Sequence, residues 1–145
     1  MNAKEYLESI KKADTVINEK LKECDALRGM RYKITQTLKP VMVSGGGSQG
    51  GFTGASDRLI DLEREIDIEV DRFVDLKREA GALLALLKNE RHYKVLHRHY
   101  IQFESLEKIA VDMGCTYRWA CILHGRALQA FQKVLDKRKS EQRGN

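Results

Sequence analysis

The chain has 145 residues, 26 basic against 21 acidic side chains, a formal net charge of +5 and a single proline. Lys, Glu, Leu, Ala and Arg dominate and long Val/Ile/Thr runs are missing, which excludes a strand-rich fold and predicts an all-α protein. Three cysteines are too few and too odd a set for a disulfide framework, and no apolar run approaches the ~20 residues of a membrane span. The opening MNAKEYLESI is amphipathic and charged, unlike a signal peptide, so a soluble cytoplasmic protein is expected.

Residues 3–38 repeat apolar or small side chains at helical spacing: Ala3, Leu7, Ile10, Ala13, Ile17, Leu21, Cys24, Leu27, Met30, Ile34 and Leu38. The mean step is about 3.5 residues, a heptad-like seam that asks for a partner helix. Pro40 is expected to end the helix.

A glycine-rich stretch follows, SGGGSQGGFTG at 44–54, and reads as a mobile loop spanning 44–56. It lacks the Gly-Lys-Ser/Thr ending of a phosphate-binding loop.

Ser56 is expected to cap a second long helix, with Asp57 behind it to meet the helix dipole. Its stripe is Leu59, Leu62, Ile66, Val70, Phe73, Leu76, Ala80, Leu83 and Leu87, again at about 3.5 residues per step. Two matched seams across one loop predict a coiled-coil-like antiparallel hairpin over residues 1–88, each arm roughly 50 Å long. The acidic residues of the second arm (Asp61, Glu63, Glu65, Asp67, Glu69, Asp71, Asp75), interleaved with Arg58, Arg64 and Arg72, read as a solvated, salt-bridged face, with no third ligand set to make a metal site.

From Asn89 the pattern shortens. Helices are predicted over 89–101, over 105–113 with Ser105 as cap, and over 116–137 with Thr116 as cap; residues 138–145 read as a frayed polar tail. Residues 92–145 hold ten basic and five acidic side chains, so the C-terminal part is the basic part. That balance suits a phosphate backbone.

Residues 104–128, ESLEKIAVDMGCTYRWACILHGRAL, meet the requirements of a helix-turn-helix together. Ala110 is the small contact residue and Gly114 the turn residue. Ile109, Met113, Cys115, Ala120 and Leu123 supply the inner faces. Arg118 is the best base reader, because a guanidinium pairs bidentately with guanine. Tyr117 and Thr116 can bond phosphates or base edges, and Ile122 can pack on a thymine methyl. Lys108 and Arg126 are the leading phosphate contacts and Arg98 a weaker one. The competing reading pairs Arg126 with Asp112. Trp119 fits a groove contact, a packing role against the 89–101 helix, or a protein interface.

HYIQFESLEKIAVDMGCT and RALQAF resemble region four of sigma-70-type factors. Nearly the whole chain resembles a family of small prophage-encoded proteins of unassigned function with such a C-terminus. The shared runs are AKEYLESI, DLEREID, DRFVDLKRE and YR separated by five residues from HGRAL. The resemblance implies a DNA-facing set of Thr116, Tyr117, Arg118, Cys121, Ile122 and Gly125, and a phage regulator of late or packaging-module transcription. Trp119 departs from the small polar residue common at its position in region four.

No cofactor motif, nucleophile–base pair or metal set stands out, so a non-enzymatic protein without cofactor is expected. Cys115, Cys121 and His124 lack zinc-site spacing. The expected partners are double-stranded DNA, RNA polymerase, and a second copy joined through the hairpin. The chain lacks the aromatic-rich helix with which a full sigma factor melts promoters. An oligomeric DNA-packaging component and a protein-only interaction module are the competing functions.

Overall fold

A computed structural model describes residues 1–38 and 50–144. Among them all regular structure is helical: α1 (Ala3–Leu38), α2 (Gly50–Leu84), α3 (Glu90–Leu96), a π-helical turn (His97–Ile101), α4 (Leu106–Met113) and α5 (Tyr117–Arg143). No helix of the described residues is long and apolar enough to cross a membrane. Pro40 and residues 44–49 of the predicted 44–56 loop lie outside the described residues; the rest of that loop, 50–56, is helical.

The start of α1 is fixed by a reciprocal cap that the sequence reading passed over. Asn2 Oδ1 accepts from the Glu5 N–H at 2.8 Å, and Glu5 Oε2 accepts from the Asn2 N–H at 3.0 Å. The second helix corrects the reading at its N-terminus. Residues 50–56 are helical, so Ser56 sits inside α2 rather than capping it, and its hydroxyl is buried without a partner. A helical glycine costs only about 1 kcal/mol, which a continuing helix overrides.

The chain divides into two compact units. Residues 14–72 form one, around Cys24, Leu59, Leu62 and Ile66, with Leu27 packed against them. Arg28 bonds Glu63 at 3.1 Å, and Lys20 lies 3.7 Å from Glu65 and 3.8 Å from Glu69. Leu21, Met30 and Val70, placed on the predicted seams, are exposed. Lys20 and Glu69, each only partly exposed, pair beside Leu21 and Val70. An aliphatic lysine stem covers apolar surface while its ammonium pairs with the carboxylates.

Residues 1–13 and 73–145 form the other unit. The units thus divide at 13/14 and 72/73, whereas the sequence places a domain boundary at 88/89, between a 1–88 hairpin and an 89–137 helix-turn-helix domain. Ala3, Leu7 and Ile10 pack with Ala80, Leu83 and Leu84 and with Val95, Leu96, Tyr100, Ile109, Leu123, Ala127, Phe131 and Leu135. Phe131 is the largest fully buried side chain. The Ala3 N–H, one of the unpaired donors of a helix start, bonds Gln132 Oε1 at 2.7 Å.

The predicted 89–101 helix is two pieces. Asn89 Oδ1 caps α3 by accepting from Arg91 and His92, and the turn then widens at His97–Ile101. Phe103, at φ 58°, is the only non-glycine residue of positive φ among those described; it stacks on Phe73, with Lys77 Nζ over both rings. The expected frayed tail is helical to Arg143, with Arg138 bonded to Glu79.

Candidate nucleic-acid interface

The connection between α4 and α5 is three residues long, Gly114–Thr116. Ser105 Oγ caps α4 by accepting from the Lys108 N–H at 3.2 Å. Gly114 leaves α4 with φ 68° and ψ 33°. The Cys115 N–H reaches Ala110 O at 2.9 Å and the Gly114 N–H reaches Val111 O at 3.2 Å. These are the two bonds of a Schellman stop, which ask for left-handed backbone at this position. Thr116 Oγ1 then starts α5 by accepting from the Trp119 N–H at 3.1 Å. Ile109, Ala110, Ala120 and Leu123 are buried, and Met113 and Cys115 half-buried. Both α3 and α4 pack on α5.

Burial of Ala120, Leu123, Ala127 and Phe131 fixes which side of α5 faces out. Arg118, Ile122, Gly125 and Arg126 lie on the opposite, exposed side. Arg118 has no acidic partner among the described residues. A Cβ added to Gly125 would meet nothing within 4 Å, so the protein's own packing does not require glycine there. Trp119 is 38% exposed, outside the core, and carries the Arg126 guanidinium 5.3 Å from its ring centroid. The Tyr117 hydroxyl is raised above its ordinary pKa by a hydrogen bond with Cys121, by the Cys121 charge and by Glu107. The α5 N-terminus adds its helix dipole to this face, which favours an anion.

The cations predicted to hold phosphate separate into two groups. Arg98 is held 2.8 Å from Glu104 and 2.7 Å from Asp112, so its charge is already met inside the fold. It leaves the candidate set. Asp112 therefore serves Arg98 and not Arg126, which corrects the competing pairing of Arg126. Lys108 lies 3.5 Å from Glu104 but is well exposed, a pairing that water and salt weaken readily.

One cluster was not foreseen from the sequence. The Tyr100 hydroxyl and His124 Nε2 share a hydrogen bond of 2.8 Å, and the His99 ring stands edge-on to His124 at 5.4 Å. Burial, then the neighbouring His99 and Lys4, holds the His124 pKa below the ordinary histidine value, against an opposing pull from Glu8. Burial, with Glu8, pushes Tyr100 up to about 12. The spacing of 24 residues between the pair gave no local signal. Among the described residues no group of three His, Cys, Asp or Glu side chains could hold a metal ion.

No protein-family model, curated protein or solved structure matches this chain. The case for its function rests on the chain's own residues.

Proposed function

We propose that this protein is a sequence-specific, duplex-DNA-binding transcription regulator of phage type, with α5 as the recognition helix of a sigma region 4-like helix-turn-helix. One observation carries the reading. The Schellman-stopped α4 and the Thr116-capped α5 bury one side of α5 and leave Arg118, without an acidic partner among the described residues, beside Ile122, Gly125 and Arg126 on the other. Such a helix enters a major groove with its N-terminal residues toward the bases. Arg118 then reads a base edge, Thr116 and Tyr117 bond phosphates or bases, and Lys108 and Arg126 hold the backbone. The pairing of 28 with 63 and of 20 with 65 and 69 supports an antiparallel hairpin preceding this domain. In this reading the hairpin joins two copies or meets RNA polymerase.

Selection of bound duplexes from a random pool, followed by a salt titration on the winning sequence, tests it. Each phosphate contact contributes about −0.9 to the slope of log K against log salt. A selected sequence whose affinity falls steeply with salt is expected. Absence of binding at low salt sinks the reading. It would leave the protein-only module, which the exposed Tyr117, Trp119, Ile122 and Val111 favour. A ring of eight or more copies in solution would instead favour DNA packaging.

A further inference from the structure

Two arginines near the α4–α5 turn are held in opposite ways. Arg98 is met by carboxylates, 2.8 Å from Glu104 and 2.7 Å from Asp112, so its charge is neutralised within the fold. Arg126 is held by a ring instead. Its guanidinium carbon lies 5.3 Å from the Trp119 ring centroid, and it forms no ion pair among the described residues. An aromatic face attracts a guanidinium through its quadrupole and cancels none of its charge. It also leaves most of the N–H donors free for phosphate oxygens. Arg126 is therefore fixed in place without being neutralised.

Core packing does not account for Trp119. It belongs to neither hydrophobic cluster and stays 38% exposed. Its backbone N–H is the one that Thr116 Oγ1 accepts at 3.1 Å, so the ring stands on the capped first turn of α5. Arg126 follows two turns later, roughly 10 Å along the axis. Helical side chains lean toward the N-terminus, so the arginine reaches back along α5 to meet the ring. Its charge is thereby drawn toward the end of the helix that carries Arg118. An arginine ordered in advance also loses less rotamer freedom when it meets a ligand.

We infer that Trp119 is a positioning residue of the DNA interface: its ring holds the Arg126 guanidinium toward the start of α5, ready for a phosphate, and does not itself touch the duplex. This assignment rests on the DNA reading of α5. To the groove contact, packing role and protein interface open to Trp119 in the sequence it adds a fourth role, action through Arg126. At an exposed site a cation–π contact shifts an equilibrium by about two- to fivefold, which sets the size of the effect.

A double-mutant cycle on the full chain tests it, read as affinity for a selected duplex and for random-sequence DNA. Trp119→Ala is expected to weaken both about two- to fivefold, and Trp119→Phe, which keeps a ring, to stay within about twofold of wild type. Arg126→Ala is expected to weaken binding at least as much as Trp119→Ala. The double variant Trp119→Ala/Arg126→Ala should bind no worse than Arg126→Ala alone, because the ring acts only through the cation. Trp119 is the only tryptophan, so intrinsic emission reports this ring in the free protein. Arg126→Ala is expected to change that emission with no DNA present. Emission that ignores Arg126→Ala overturns the inference whatever the affinities. Losses that add in the double variant overturn it too, as does a Trp119→Ala that binds like wild type. A wild type that binds no duplex at low salt is a separate result: it ends the DNA reading, and this assignment with it.

Discussion

Gly125 separates what the folded chain needs from what a partner needs. It sits in the middle of α5, exposed, with open space where a Cβ would stand. Gly125→Ala is therefore expected to stabilise the protein by about 1 kcal/mol, the usual gain of alanine over glycine in a helix. Urea denaturation measures it. If α5 lies against DNA at this position, the same methyl group intrudes on the duplex, and affinity for the selected sequence falls while stability rises. A variant that gains stability and keeps full affinity removes Gly125 from the interface. Arg118 and Arg126 divide in another way. Arg118 has no acidic partner among the described residues, so Arg118→Ala is expected to relax preference at one base pair by about 1–3 kcal/mol. Arg126 rests on Trp119 and is assigned to phosphate, so Arg126→Ala should weaken all duplexes alike. Competition assays with single-base variants of the site distinguish the two. Equal losses on selected and random DNA for Arg118→Ala end its role as a reader.

At the scale of elements, the Tyr100–His124 bond ties the π-helical turn to α5, and the burial of His124 there makes stability depend on pH. His124 is held below the ordinary histidine value near 6.5, chiefly by burial, and His97 is lowered by burial and by Lys77. Over the pH range between folded and unfolded values, the unfolded chain binds more protons than the folded one. Stability is then fully present above about pH 6.5 and falls as pH drops toward the depressed folded values. Denaturation midpoints taken from pH 7.5 to 5.5 are expected to decline, and His124→Gln should flatten part of that decline. An unchanged slope in the variant would assign the effect elsewhere. The cluster also marks where the sequence stopped being legible. The caps at Ser105 and Thr116, the Gly114 turn and the buried Ala110 are local signals, and residues a few positions apart suffice to read them. The π-helical turn, the left-handed Phe103 and the pairing of Arg98 with Glu104 and Asp112 depend on side chains meeting across elements. Heptad counting likewise placed Leu21 and Val70 inside, because spacing says nothing of a half-exposed Lys20–Glu69 pair forming beside them. The DNA-facing set on α5 follows only from the resemblance to region four, and Cys121 of that set is half-buried rather than on the exposed side.

At the scale of the whole molecule, the described residues form two separate cores, the larger outside residues 14–72. The unit of residues 1–13 and 73–145 buries a continuous cluster from Ala3 to Leu135, whereas residues 14–72 gather around Cys24, Leu59, Leu62 and Ile66. Opening free energy follows buried apolar contact, so the 14–72 unit should open more often than the other. The three cysteines report this directly. Cys24 is buried, and burial, foremost among its surroundings, raises its thiol pKa; Cys115 and Cys121 are half-buried in the other unit. In the native protein, alkylation at mildly alkaline pH is expected to modify Cys115 and Cys121 first, and Cys24 only through opening of its own unit. Ile66→Ala removes a core side chain at a cost of about 2–5 kcal/mol. At the lower bound that is roughly thirtyfold in an opening equilibrium. Cys24 should then label about thirtyfold faster, with Cys115 and Cys121 unchanged. Phe131→Ala, made in the larger core, serves as the converse. If it accelerates Cys24 as much as Ile66→Ala does, the two units open as one and the separate stability of 14–72 is refuted. If it leaves Cys24 slow, the 14–72 unit and the unit bearing α4 and α5 unfold by separate steps.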